Sequence, residues 1–473
     1  MGRERRATEA REIFAAAVAG VDPERLVRSW LGRALGRLPA PGQGDDRDRS
    51  SSHARGRAGP GGGRGLSAPV PGVGPWIAGA GKAAESMARG AAAAIPGARG
   101  VVVAPRRPGP GGARPSRIGG ILVLRGEHPF PGAGSFASTR RLVAALARRP
   151  ASEPVLLLLS GGASALLSMP AAGLRSDDKA RLHRLLFRSG LPIAAMNAVR
   201  KHASAVKGGG LLRLAAPRPL WTLAVSDVVG DDPATIGSGP GVADPSTFAD
   251  ALAFLLAAVP RASVPPAVLR RLERGAAGRV PETVKPSDRR FGGSRAVVLA
   301  SNATALAAAS RRARSLGWAV RRVRAPLEGE ARVAAARFVA ELPARPLRPT
   351  CVLAGGETVV TVRGGRGLGG RSQEFALAAA PLLARSGWTL LAAGTDGVDG
   401  PTPAAGALVD GTTARRAGQA AIDRALAAHD SHRFFARHGG LVVTGPTGTN
   451  VMDVVVALHP GAATRAARGA RSR

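Results

Sequence analysis

Along this chain, apolar positions recur at two different spacings. Between residues 8 and 32, Ile13, Phe14, Val18, Leu26, Trp30 and Leu31 allow one buried helical face, predicted in two segments around Asp22-Pro23. From Pro75 onward, short aliphatic runs alternate with Ala/Leu-rich stretches. The runs predict strands at Trp76–Ala78, Val101–Ala104, Ile121–Leu124, Val155–Leu159 and Leu220–Val225 in the first half. In the second half they predict Ala296–Ala300, Thr350–Ala354, Thr358–Arg363, Thr389–Ala393, Leu441–Thr444 and Val454–Leu458. Such alternation implies βαβ units and a mostly parallel, buried sheet. One helix is expected to start at Ser176 as its cap, with Asp177 and Asp178 in the first turn and Gly190 as its stop. Residues 197–211 read as another helix ending in glycines, and 259–290 as an irregular, partly helical connection.

A chain of 473 residues exceeds one ordinary core, so two α/β domains with a cleft between them are expected. The divisions fall at 1–260 for a Rossmann-like first domain, 261–349 for a connection and the start of the second, and 350–460 for the remainder. Residues 40–70 hold almost nothing that could offset their ordering entropy and read as a disordered insertion.

A formal charge of +35 would ordinarily suggest nucleic acid or an anionic membrane surface. Only five of the 67 basic residues are lysine, however, and tyrosine is absent, so the charge reflects an arginine-rich vocabulary more than a binding surface. Aromatic side chains for base stacking are scarce, which argues against a nucleic-acid partner. The single cysteine, Cys351, excludes an intramolecular disulfide, and the longest aliphatic run is too short to span a membrane. A cytoplasmic enzyme with no membrane partner is the expectation.

The candidate chemistry clusters where strands end, which is where open α/β sheets bind ligands. GAGKAA at 79–84 offers Gly79 and Gly81 for main-chain contact with an anion and Lys82 as a mobile charge. The same residues satisfy a GxGxxA dinucleotide fingerprint, with Arg106 and Arg107 placed for a 2′-phosphate. Ser160, Gly161 and Gly162 form a second cradle, and Lys201 and Lys207 put two of the five lysines on the predicted 197–211 helix. Asp227 ends a strand where a carboxylate could hold Mg²⁺ or accept a hydroxyl proton. Gly355, Gly356 and Glu357 follow another strand. Arg371 stands at a helix N-terminus, an unfavourable place for a cation unless an anion sits beside it. Thr395, Asp396 and Asp399 share one loop; Asp227, Asp396 and Asp399 are the candidate metal ligands, and Thr395 a phosphate contact. His128 is assigned a structural role.

Taken in this order, the segments resemble the glycerate 2-kinase family. These are two-domain α/β proteins whose second half is the MOFRL domain, and members often carry the label hydroxypyruvate reductase. The likeness runs from about residue 10 to 458 apart from the insertion. It implies phosphorylation of D-glycerate to 2-phosphoglycerate by Mg-ATP in an interdomain cleft, with Lys82, Asp227 and Arg371 at the centre. The chain departs from the family pattern at Ala195, Ser372, Pro403 and Gly132, positions that bear on substrate preference. An NADP-linked hydroxypyruvate reductase is the rival reading, and it leaves the carboxylate loops unexplained. A homodimer stays open.

Overall fold

The computed structural model describes residues 2–35, 74–362, 364 and 367–461, so the insertion read at 40–70 lies outside the described residues. The chain opens with two helices, α1 (Arg3–Gly20) and α2 (Pro23–Ala34). They meet where expected, because the Asp22 carboxylate accepts from the amides of Glu24 and Arg25 and Pro23 occupies the first turn of α2.

The first sheet follows, with β1 (Trp76–Ala80), β2 (Arg99–Pro105), β3 (Ser116–Ile118), β4 (Gly120–Gly126), β5 (Val155–Leu159), β6 (Leu220–Val225) and β7 (Arg295–Ala300). Their order across the sheet is β3-β4-β2-β1-β5-β6-β7, and every pairing is parallel except β3 with β4. Central β5, sequence VLLLL, is buried at all five positions, as a strand covered on both faces must be. Intervening helices are α3 (Ala84–Ala94), α4 (Ala133–Ala147), α5 (Ala163–Leu166), α6 (Ser176–Arg188), α7 (Ile193–His202), α8 (Gly210–Ala215), α9 (Phe248–Ala258) and α10 (Pro266–Ala276).

After α11 (Asn302–Ser315) comes a second sheet of β8 (Ala319–Arg322), β9 (Leu327–Glu330), β10 (Thr350–Val359), β11 (Thr389–Gly394), β12 (Gly406–Asp410), β13 (Leu441–Val442) and β14 (Asp453–His459). Its order is β13-β12-β11-β14-β10-β8, with β9 beside β10. Helices α12 (Ala331–Ala340) and α13 (Arg371–Leu382) pack against each other over it. The central pairings of β11 with β12 and β14, and of β10 with β14, are antiparallel. The loop from β11 to β12 is too short for a helical crossover, so those two strands can pair only as neighbours of opposite direction.

Several expectations need correcting. The strand read at Ala296–Ala300 with the second half is β7, which hydrogen-bonds to β6 and closes the first sheet. Thr358–Arg363 is no separate strand; β10 runs through the GGE glycines and ends at Val359. The helix read over 197–211 stops at His202, and Lys207 lies in the turns before α8. Ser176 is the first helical residue of α6 rather than its cap, and the backbone N–H of Arg175 donates to Asp178 at 2.9 Å.

One apolar core spans both sheets. Ile13 and Phe14 of α1, fully buried, join Met87 and Ile77 on the first-sheet side to Ala309, Leu391 and Val456 on the second. Burying those two large side chains contributes about 3–6 kcal/mol. Glu9 receives the indole N–H of Trp318 at 3.0 Å, and the hydroxyl of Thr449 donates to the Val21 carbonyl at 3.1 Å. Among the described residues, no helix is long and apolar enough to cross a membrane.

Candidate active site

The turns after β1 and β5 are laced together. A Cβ on Gly79 would lie 2.9 Å from the Leu158 carbonyl, and one on Gly81 would lie 2.1 Å from Ser160 Oγ. The N–H of Gly81 donates to Val103, that of Lys82 to Gly161 at 2.7 Å, and that of Ala83 to Ser160 Oγ at 2.9 Å. The GAGKAA turn therefore is not the main-chain anion cradle its glycines suggest, because its amides are already engaged. Gly79, Gly81 and Ser160 hold the two turns in contact, and the Lys82 side chain leaves them for the cleft.

Gly161 and Gly162 lie where side chains from three strand ends of the first domain meet. A Cβ on Gly161 would meet Asp227 Oδ2 at 2.0 Å. Gly162, at φ +83°, occupies a conformation that side chains rarely adopt, and a Cβ there would lie 2.9 Å from His128 Cδ2 and 3.4 Å from Lys82 Cγ. Three side chains from three strand ends thus converge on one dipeptide.

Lys207 lies outside the cleft. Its ammonium donates to the carbonyls of Ser164, Leu167 and Gly237 at 2.8, 3.2 and 3.4 Å, and burial drives its pKa well below that of an ordinary lysine. It serves the end of α5 rather than a bound phosphate. Lys201 is likewise internal, paired with Asp244 at 3.0 Å.

Across the cleft, the glycines of β10 are again packing residues. A Cβ on Gly355 would run into Asn302, and one on Gly356 into the Leu327 backbone. Glu357 reaches the cleft and accepts from Arg371 Nη1 at 2.5 Å. Arg371 also donates through Nε and Nη2 to both oxygens of Asp453, at 2.7 and 3.0 Å. The anion expected beside this cation is therefore supplied by the protein itself, and every guanidinium nitrogen has a partner. Although burial opposes its charge, Asp453 and Glu357 hold the Arg371 pKa above its usual value.

Asp399 is equally committed. It accepts from the amides of Ser372 and Gln373 at 3.0 and 2.8 Å and from Gln373 Nε2 at 3.0 Å, capping α13 from across a loop. These bonds make it a poor metal ligand. Thr395 is turned inward, donating to the Met452 carbonyl and accepting from the Val451 amide. Asp396 faces the cleft and pairs with Lys82 across it, Oδ2 to Nζ 3.1 Å.

The cleft between the two walls measures about 1050 Å³. Its lining includes Lys82, Glu127, His128, Glu357, Asp396 and Asn450. Asn450 Nδ2 donates to Asp227 Oδ2 at 3.3 Å, tying the second domain to the carboxylate behind Gly161. Burial, reinforced by Glu357 and opposed by Lys82, pushes Asp227 up to about 6. The cleft walls, then Lys82, push His128 down to about 4. Arg106, expected near a 2′-phosphate, lines the same cleft with Nη1 3.7 Å from Glu127.

Sequence reasoning missed His128 and Asn450. His128 carried a signal in its EHPFPG setting, whereas Asn450 sat in what read only as a small-residue turn. Among the described residues, no three His, Cys, Asp or Glu side chains are grouped to hold a metal ion by themselves. Asp396 on the cleft wall, and Asp227 in contact with the cleft-lining Asn450, still offer hard oxygens, which is enough for an ion that brings phosphate and water ligands with it.

Comparisons with known proteins cover most of the chain. A family model described as a domain of unknown function (DUF4147) matches residues 9–273, and the MOFRL family model matches 350–453. The chain is 39% identical to a glycerate 2-kinase of Pyrococcus horikoshii, over 72% of this chain and 78% of that protein. It is 36% identical to a D-glycerate 2-kinase of Thermotoga maritima, over 71% and 79%. A protein of Agrobacterium vitis named putative hydroxypyruvate reductase is 38% identical over 80% and 85%. The crystal structure of glycerate kinase from Thermotoga maritima superposes with a TM-score of 0.78 at 30% identity, covering 96% of this chain and all of that one.

Proposed function

This chain belongs to the glycerate 2-kinase family, and on that premise we propose that it transfers the γ-phosphoryl group of ATP to the 2-hydroxyl of D-glycerate. The observation that carries the reading is the meeting of Lys82 and Asp227 around Gly161–Gly162, beside a cleft lined by Lys82, Asp396 and Glu357.

Phosphoryl transfer needs positioning and charge neutralisation more than covalent help from the protein. Asp227, with a pKa near neutrality, takes the proton as the 2-hydroxyl oxygen forms its bond to the γ-phosphorus. The bond from that phosphorus to the β-bridging oxygen breaks, and ADP leaves with the electron pair. Lys82 exchanges its pairing with Asp396 for the oxygens of the phosphoryl group in transit. Asp396, so released, is the residue that would hold Mg²⁺, which when bound neutralises charge on the β- and γ-phosphates. Arg371 supplies positive potential and fixes Glu357 and Asp453, since its own donors are engaged.

The test is a coupled assay with D-glycerate, ATP and Mg²⁺ that identifies the phosphoglycerate isomer, run beside hydroxypyruvate with NADPH. The expected product is 2-phosphoglycerate with no NADPH oxidation. Reductase activity without phosphorylation would overturn the reading, although the engaged amides of GAGKAA leave that turn no main-chain donors for a dinucleotide pyrophosphate.

A further inference from the structure

One side chain in the cleft has no part in the reaction as derived. His128 is exposed there, and among the described residues neither of its ring nitrogens hydrogen-bonds to the protein. Its Cδ2–Nε2 edge packs against Gly162, where a Cβ would lie 2.9 and 3.1 Å from those two atoms. Lys82 Cγ would lie 3.4 Å from the same point, and Asp227 faces the preceding glycine. Imidazole, ammonium and carboxylate therefore border one dipeptide.

A hydroxy acid brings a carboxylate of its own, and the cations around the cleft are already allotted. Arg371 is held by Asp453 and Glu357, Lys82 is taken by the phosphoryl group, and Arg106, 3.7 Å from Glu127, is not among the nearest neighbours of Gly161 and Gly162, where Asp227, His128 and Lys82 meet. Asn450, which also lines the cleft, already gives its Nδ2 to Asp227, so among the described side chains the imidazole is the cleft-lining donor near Asp227 that has no acceptor in the protein.

We propose that His128 donates a hydrogen bond from Nε2 to the carboxylate of the hydroxy acid, and so decides which hydroxyl meets Asp227. The inference rests on the kinase reading. The 2-hydroxyl sits on the carbon next to the carboxylate and the 3-hydroxyl one carbon further, so a carboxylate anchored beside Asp227 presents the former. His128 is then a substrate-binding and regiospecificity residue.

Steady-state kinetics and product analysis of His128→Ala and His128→Gln test this. For His128→Ala, KM for D-glycerate should rise about 10- to 100-fold while KM for ATP changes less than about twofold, because one hydrogen bond to a charged group is lost. The 3-phosphate isomer should appear among the products. Glutamine can place an amide N–H near the position of Nε2, so His128→Gln should recover most of the affinity. An unchanged KM for glycerate, or an equal rise for both substrates, would overturn the proposal. Calorimetric titration of D-glycerate without nucleotide separates this from the reaction itself. Binding by the wild type that His128→Ala loses supports the contact even if no 2-phosphoglycerate forms, a result that would sink the kinase reading alone. Equal binding by both proteins overturns the contact, and no binding by either overturns both.

Discussion

Gly161 sits where the smallest possible change reaches the chemistry. Its backbone is not strained, so Gly161→Ala should fold, but the added methyl would occupy the space of the Asp227 carboxylate. Displacing a reacting group by about 1 Å costs roughly 10²-fold in rate, and kcat should fall on that order while the unfolding midpoint moves little. Lys82→Ala removes the only lysine among the described residues that lines the cleft, and kcat should drop about 10³-fold with circular dichroism unchanged. On the proposed mechanism, the acid limb of the pH–rate profile should belong to Asp227. Its pKa is raised, so the reactive carboxylate is present above about pH 6 and is lost as the pH falls through that value. Glu357 is one cause of the rise, so Glu357→Gln should move the limb to lower pH. A limb that stays in place would assign it to another group. The same shift has a structural side: the raised pKa favours the folded state below the unfolded value and withdraws that support as the pH rises through about 6. Asp227→Asn should accordingly be inactive yet more resistant to urea at pH 8.

Among the elements, α13 depends most on a distant residue. Asp399 supplies the cap that its own N-terminal neighbour, Gly370, cannot. Asp399→Ala should cost about 1–2 kcal/mol in urea unfolding and should loosen Arg371, which stands in the same first turn. Strands and helices with strong local signals were legible in the sequence: β1, β5 and β6 from their aliphatic runs, and α2 from Asp22-Pro23. What failed had its cause at long range. Nothing local tells that β7 pairs with β6, or that GALVD at 406–410, emerging from a Gly/Pro-rich loop, completes a sheet edge with β11 and β13. Lys82, Asp227 and Asp396, which the proposed mechanism uses, were legible as candidates because polar residues at strand ends have few structural reasons to be there. The glycines around them were legible as motifs but misread in role, since their contacts are with backbone brought in by other strands. Arg371 was found for a sound electrostatic reason, yet its partner Asp453 lies 82 residues away.

At the scale of the molecule, the two sheets share a helical clasp. α2 packs on α3 of the first domain, and α1 on α11, β11 and β14 of the second. Arg3 of α1 also pairs with Asp410 of β12. Deleting residues 3–20 would uncover apolar surface on α11 and the second sheet, and the truncated protein should aggregate or unfold at markedly lower temperature, read by light scattering during a thermal ramp. A truncated protein that stays monodisperse with an unchanged midpoint would show the clasp to be dispensable. The clasp also has a consequence for the order of events in the cell. α1 leaves the ribosome well before α11, and β14 follows more than 400 residues later. At about 5–20 residues per second the helix then waits tens of seconds with Ile13 and Phe14 exposed, and a nascent chain that long without its docking partner is a natural client for holdase chaperones.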